Sequence, residues 1–228
     1  MAQVGGASKP AAGPATTEKA SEGKPDIGPA LERWAMEASA RLLKANTTGN
    51  LDEFQKIAEE AEQGSEHAPT PRTQAILLVT AAMARTALFH LGQDKKGNGT
   101  RAFHEFKEAY GLAPGRKEAA TGWGQTVLAL GHQGFFTRKF LGLLGVSVSK
   151  DDAREVIDAL GAFPDDALSQ LLRGRLAAWC KDTQAAAAAA AAVKALLAKG
   201  GDAAVQVDKM EKWLAGLEKQ AADSGAKK

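Results

Sequence analysis

Residues 100–115 read TRAFHEFKEAYGLAPG, and this stretch decides the class of fold that the sequence predicts. Its large apolar side chains, Phe103, Phe106 and Tyr110, recur every three or four residues, which is the spacing of one face of an α-helix. Pro114 then ends the helix because it cannot donate the next backbone hydrogen bond. An apolar stripe followed by Gly or Pro recurs through most of the chain, so we expect a series of helices.

The composition of the 228 residues favours helices throughout. Ala and Leu together number 70, whereas the β-branched residues Val and Ile number only 13, so strands have few of the residues that they prefer. This composition argues against a sheet-based enzyme fold. A single cysteine, Cys180, excludes a disulfide scaffold, and a net charge of +2 argues against a strongly basic nucleic-acid binder.

Two changes in composition bound the expected domain. Residues 1–27 have few large apolar side chains and many Ala, Gly and Pro, so we expect a disordered N-terminal tail. Residues 28–222 form one helical domain in this interpretation, and residues 223–228 form a frayed C-terminus. No stretch is apolar enough to span a membrane, and the first residues lack the features of a secretory signal. We therefore expect a cytoplasmic protein, with a periplasmic or exported protein whose signal was removed as the alternative.

The sequence predicts about ten helices and no strand. Helix starts are marked by Pro in the first turn or by a Ser, Thr, Asn or Asp cap, and helix ends by Gly or Pro. The expected helices begin at Pro29, Asn50, Thr70, Thr100, Gly115, Ser149, Pro164 and Asp182, with two more at 132–145 and about 202–222. Residues 93–99 are expected to form an exposed loop. Short connections make consecutive helices pack as antiparallel hairpins in series.

The spacing of small residues in these helices carries a family resemblance. Ala102, Phe106, Ala109 and Pro114 lie at relative positions 0, 4, 7 and 12, which resembles the second-helix pattern of tetratricopeptide repeats. In that family, small residues let two helices approach closely, and Pro ends the repeat.

The next helix adds to the resemblance. Trp123 precedes Gly124, and Gly131 follows seven residues later, which resembles the first-helix pattern of the same repeat. The resemblance implies an all-α protein whose antiparallel helix hairpins stack as a tetratricopeptide-like right-handed solenoid. An irregular helical bundle is the alternative fold.

A solenoid of this family implies a concave groove that binds a peptide or a helix of another protein. The chain would then be a non-enzymatic adaptor with a protein partner. By the resemblance, the groove-facing residues are Thr86, Phe89, Thr121, Gln125, Leu128 and Arg175. They are mostly not the Lys, Asn and Arg with which one subgroup clamps a C-terminal carboxylate, so that activity is not expected. Packing between helices is the alternative role for these side chains.

A helical carrier of a lipid or another small apolar ligand is the alternative function. It predicts a closed apolar cavity lined by Phe89, Phe106, Phe135 and Phe136. An enzyme is a further alternative, but the sequence shows no convergent set of polar residues. We therefore expect no catalytic residue, no cofactor and no metal, whereas the partner's identity and the oligomeric state stay open.

Three features invite a chemical interpretation that we do not expect to hold, although whether the loop at 93–99 has a function stays open. His104 and Glu108 have the spacing of two metal ligands on one helix turn, but no third ligand is evident, and we expect an exposed polar face there. Residues 92–100 combine glycines and lysines but lack the ending of a phosphate-binding P-loop. Cys180 lies in an apolar helix, where we expect a buried structural cysteine.

Two further stretches are assigned to packing. Residues 135–144, the most apolar stretch, are expected to form a core helix with a basic edge rather than a membrane-surface helix. The eight consecutive alanines of residues 185–192 are expected to let a neighbouring helix pack closely.

Overall fold

The computed structural model describes residues 27–131 and 148–199, together with the helical positions Ala215, Gly216 and Lys219. These two ranges contain eight α-helices and no strand. The helices are α1 (Gly28–Thr48), α2 (Leu51–Glu66), α3 (Pro71–His90), α4 (Lys95–Leu112), α5 (Lys117–Gly131), α6 (Lys150–Gly161), α7 (Ala167–Trp179) and α8 (Thr183–Ala198). The expected helix at 132–145, most of that at 202–222, and the expected tail and frayed terminus lie outside the described residues.

The helix starts confirm several of the expected caps. The side chain of Asn50 accepts a hydrogen bond from the Glu53 backbone N–H at the start of α2. Ser149 and Asp152 form a reciprocal capping box at the start of α6, in which each side chain accepts from the other residue's backbone N–H. Such side chains satisfy N–H groups that have no partner within the helix, so local sequence alone locates these starts.

The expected exposed loop at 93–99 is wrong. Helix α4 begins at Lys95, because the carboxylate of Asp94 accepts a hydrogen bond from the Gly97 N–H and caps the helix there. Thr100, the expected cap, lies inside α4 and donates its hydroxyl to the Lys96 carbonyl. Asp94 takes a φ of +29°, a conformation that Asp tolerates better than most residues.

The expected start of α7 at Pro164 is also displaced. The helix begins at Ala167, and Asp166 is its cap, accepting hydrogen bonds from both the backbone N–H and the hydroxyl of Ser169. The side chain of Gln170 donates to the Phe163 carbonyl and ties the preceding turn to the helix.

Neighbouring helices pack against one another in sequence order. Each of α1 to α4 contacts the next helix, and so do α6 and α7. Contacts also join α1 with α3, α3 with α5, and α5 with both α6 and α7. The main apolar core lies among α3 to α7, with smaller clusters between α1, α2 and α3 and between α7 and α8.

Small residues mark the closest helix contacts, as expected. A Cβ atom added to Gly124 would lie 3.3 Å from Val156 and Leu160, so this glycine lets α5 approach α6. A Cβ atom added to Gly131 would lie 2.8 Å from the Trp179 ring. On α8, alanines of the 185–192 run are buried against α7, which confirms the expected close packing there.

None of the described helices is long and apolar enough to cross a membrane.

Candidate ligand-binding cavity

A partly open cavity of about 400 Å³ lies between α3, α4, α5 and α7. Its volume is within the usual range for binding sites of small molecules and peptide side chains. It is lined by Thr86, Phe89 and His90 of α3, Gly99 and Ala102 of α4, Gln125, Thr126, Leu128, Ala129 and Leu130 of α5, and Leu172 and Arg175 of α7.

The structure brings five of the six expected groove residues together around this cavity. Thr86 and Phe89 come from α3, Gln125 and Leu128 from α5, and Arg175 from α7. These residues are distant in sequence and meet because α5 contacts both α3 and α7.

Thr121, the sixth expected groove residue, does not line the cavity. It lies one helical turn before Gln125, it is buried, and its hydroxyl donates to the Lys117 carbonyl at 2.9 Å. Its side chain therefore forms a hydrogen bond within α5 and is buried there, which agrees with the alternative role in packing between helices.

The cavity has an apolar interior and a polar mouth. Leu128, Leu130 and Leu172 are buried, and they present hydrocarbon surface to the interior. Gln125 and His90 are exposed and border the opening. This arrangement is typical of ligand sites, in which apolar area gives affinity and a few polar groups fix orientation.

The charge of the lining is positive. Arg175 is half-buried, and burial lowers the pKa of its guanidinium below the usual value, although an arginine stays protonated at neutral pH. Among the described residues that line the cavity there is no Asp or Glu. The wall therefore favours a neutral or anionic guest over a cationic one.

Gly99 shapes the wall that α4 contributes. A Cβ atom at this position would lie 3.1 Å from the Phe89 ring and 3.2 Å from Leu130, closer than most real contacts of a Cβ atom. The absence of a side chain lets Phe89 and Leu130 meet over α4. The sequence predicts a loop at Gly99, so this residue was not expected to be part of the site.

The aromatic set expected for a carrier does not converge on this cavity. Phe89 lines it, but Phe106 is 3% exposed and packs over Gly122 in the main core. Phe135 and Phe136 lie outside the described residues.

A buried ion-pair network lies beside the cavity helices, and it includes Glu105, the neighbour of the exposed His104. Arg85 of α3 is 1% exposed, and its Nε donates to the Glu105 carboxylate at 2.7 Å. Its Nη2 donates to the Glu62 carboxylate at 2.5 Å. Burial raises the pKa of Glu105, an effect that the interactions with Arg85 oppose, and Glu105 Oε2 has no hydrogen-bond partner among the described residues.

The other residues considered for chemistry, His104, Glu108 and Cys180, lie on the surface or are partly buried in the structure. His104 and Glu108 are exposed, and within 27–131 and 148–199 no three His, Cys, Asp or Glu side chains are grouped to hold a metal. Cys180 is half-buried rather than fully buried, and burial raises the pKa of its thiol. A raised pKa leaves the thiol protonated and weakly nucleophilic at neutral pH.

Comparison with known proteins gives no relative: no family model, no curated protein and no solved structure matches the chain. Its function is therefore inferred from the geometry of its own residues.

Proposed function

We propose that the protein is a non-enzymatic adaptor that binds a peptide or a helix of a partner protein in the cavity between α3, α4, α5 and α7. The observation that carries this proposal is the convergence of five residues, which the resemblance to tetratricopeptide repeats assigns to a groove, on one apolar cavity with a polar mouth.

The helix contacts support a tetratricopeptide-like arrangement. In a stack of hairpins, the first helix of each hairpin packs on its own partner and on the first helix of the next hairpin. The contacts of α1 with α2 and α3, and of α3 with α4 and α5, follow this rule. The cavity is lined by α3 and α5, the first helices of successive hairpins in this arrangement, together with residues of α4 and α7.

The cavity chemistry suits an amphipathic segment. A partner helix would place apolar side chains against Leu128 and Leu172, as anchors at helical spacing do in a groove. Arg175 would donate hydrogen bonds to a carbonyl or carboxylate oxygen of the partner. Gln125 at the mouth can both donate and accept hydrogen bonds.

Peptide selection on the purified full-length protein tests this function. Peptides from a displayed random library would be selected, synthesised with a fluorophore, and titrated by fluorescence anisotropy. Ala129→Leu extends a side chain from the cavity wall, and it is expected to weaken binding about tenfold or more, or about 1.4 kcal/mol. Ala188→Leu is the matched control, because Ala188 lies on the exposed face of α8.

The expected result is a set of peptides with spaced apolar residues that bind Ala188→Leu as they bind the unaltered protein. Failure to select any peptide, or equal binding by the Ala129→Leu variant, would contradict the proposal.

The carrier is kept as the second candidate because the cavity volume of about 400 Å³ also fits a small apolar molecule. Native mass spectrometry of the purified protein distinguishes the two functions. A co-purifying small molecule that is lost in Ala129→Leu and retained in Ala188→Leu would favour the carrier over the adaptor.

A further inference from the structure

The outward face of α1 carries exposed apolar side chains that the cavity does not explain. Met36 is 67% exposed and Leu43 is 69% exposed, the two highest values among the exposed large apolar residues of the described chain. With Ala40, which is also exposed, they are spaced by four and three residues and so form one stripe along the helix.

This stripe lies nearly opposite the face that α1 buries in the fold. The positions packed toward α2 and α3 are Ala35, Ala38, Leu42 and Ala45. At 3.6 residues per turn, these positions and the Met36 stripe are on different sides of the helix. The spacing of four and three residues is also the one by which two helices interlock in a coiled coil.

The charged residues beside the Met36 stripe indicate which kind of partner could pack on it. Glu37 and Lys44 are seven residues apart on one edge, and both are exposed. Neither has an opposite charge as partner in the part of the chain that is described. The other edge carries Ser39 and Asn46, which are exposed and uncharged.

When two copies of α1 pack in antiparallel orientation, Glu37 and Lys44 form two pairs of opposite charge between the copies. With the two-fold axis near Ala40, residue 36 of one copy lies level with residue 44 of the other, so Met36 falls within one residue of Leu43. The charged edges then face each other, and each Glu37 reaches Lys44 of the second copy. A parallel pair would place each charged edge against Ser39 and Asn46 and leave all four charges unpaired.

We propose that the outward face of α1 is a self-association surface, on which a second copy of this chain docks antiparallel about a two-fold axis near Ala40. Such isologous contacts are the commonest way in which chains pair. A single helix face is smaller than the interface of a standard stable complex, so the dimer is weak and depends on protein concentration.

Sedimentation velocity of the full-length protein over a wide concentration range tests this proposal. The sedimentation coefficient is expected to rise with concentration toward that of a dimer. Leu43→Lys is expected to stay monomeric at every concentration. Because Leu43 is exposed, the melting temperature of the diluted variant should equal that of the unaltered protein.

Charge reversal gives the decisive comparison. Glu37→Lys and Lys44→Glu should each weaken the dimer several-fold, because each variant opposes like charges at two places. The double variant restores both pairs and should recover the affinity of the unaltered protein. A monomer at all concentrations, or a double variant as weak as the single ones, would overturn the proposal.

Cross-linking in a Cys180→Ser background tests the orientation. Ala40→Cys should be joined by a short bifunctional maleimide, because residue 40 faces its own copy across the axis. Met36→Cys should not be joined, because eight residues of helix rise separate the two thiols by roughly 12 Å along the axis. Equal cross-linking of both variants would refute the antiparallel arrangement.

Discussion

Replacing Arg85 by Met tests whether the buried ion-pair network holds α2, α3 and α4 together. The substitution keeps a long apolar stem but removes the cation that contacts Glu105 and Glu62. Glu105 is 7% exposed, so its carboxylate would be left in the core without a partner. Breaking a buried pair on one side typically costs about 3–5 kcal/mol of unfolding free energy. For a domain of this size that corresponds to a fall in melting temperature of roughly 6–20 °C.

The stability lost in Arg85→Met is expected to depend on pH in a definite direction. Burial raises the pKa of Glu105 above its usual value, and Arg85 opposes that rise. Without Arg85 the pKa rises further, so the folded variant binds a proton over a wider pH range than the unfolded chain does. The variant is therefore expected to be closest to the unaltered protein in acid and to lose stability as the pH rises through the folded-state pKa of Glu105.

Urea titrations followed by circular dichroism measure both effects. Arg85→Met combined with Glu105→Met also removes the unpaired carboxylate. This double variant is expected to recover most of the lost unfolding free energy, because apolar side chains can replace a buried ion pair with little cost in stability. Arg154→Met is the control, since its ion pair with Asp151 is exposed and contributes little. A variant Arg85→Met within about 1 kcal/mol of the unaltered protein, or a double variant no more stable than the single one, would refute this reasoning.

Three further predictions concern helix interiors and a cap. Gly122→Ala should lower the melting temperature measured by circular dichroism, because its Cβ would overlap the Phe106 ring, whereas unchanged stability would show that the ring can move away. Gly111→Ala should raise stability by about 0.5–1 kcal/mol in urea titrations, since a Cβ there meets nothing within 4 Å and Ala is the better helix former. Asp166→Asn should destabilise at neutral pH and lessen the loss of stability in acid. Burial opposes ionisation of Asp166, but the hydrogen bond from Lys117 and those from Ser169 outweigh it and lower its pKa, so its contribution is lost as the pH falls through that lowered pKa. Unfolding curves of this variant that match the unaltered protein at every pH would contradict a stabilising role for the charge of Asp166.

Features that depend on near neighbours in sequence were accessible to prediction. The caps Asn50 and Ser149 act on N–H groups two or three residues away, so residue types at fixed spacing are sufficient to locate them. The burial of Ala102 and Ala109 follows equally from their position on one helix face.

Features that depend on contacts between residues distant in sequence could not be predicted. Glu105 reads as part of a polar surface, and only the approach of Arg85 from α3 makes its burial possible. A weak signal was present, because Glu105 lies between Phe103 and Phe106, and Arg85 stands among small and apolar residues. Neither signal names the partner, which lies twenty residues away.

The start of α4 shows a third kind of error. Residues 95–99 contain two glycines, and the average cost of glycine in a helix predicts a loop. One carboxylate, that of Asp94, and the Asn98 amide, which donates to the Gln93 carbonyl, are enough to reverse that preference. Sequence averages fail where single hydrogen bonds decide between two conformations of similar energy.

The glycines at the start of α4 have a consequence for the stability of the cavity wall. Gly97 and Gly99 make this turn intrinsically less stable as a helix, by about 1 kcal/mol per glycine relative to alanine, and Gly99 is part of the cavity wall. Amide hydrogen exchange near residues 95–99 is therefore expected to need a smaller opening free energy than exchange along the alanine-rich α8. Unwinding of this turn would open the part of the cavity wall that Gly99 forms, whereas the part formed by Leu128, Leu130 and Leu172 lies on other helices.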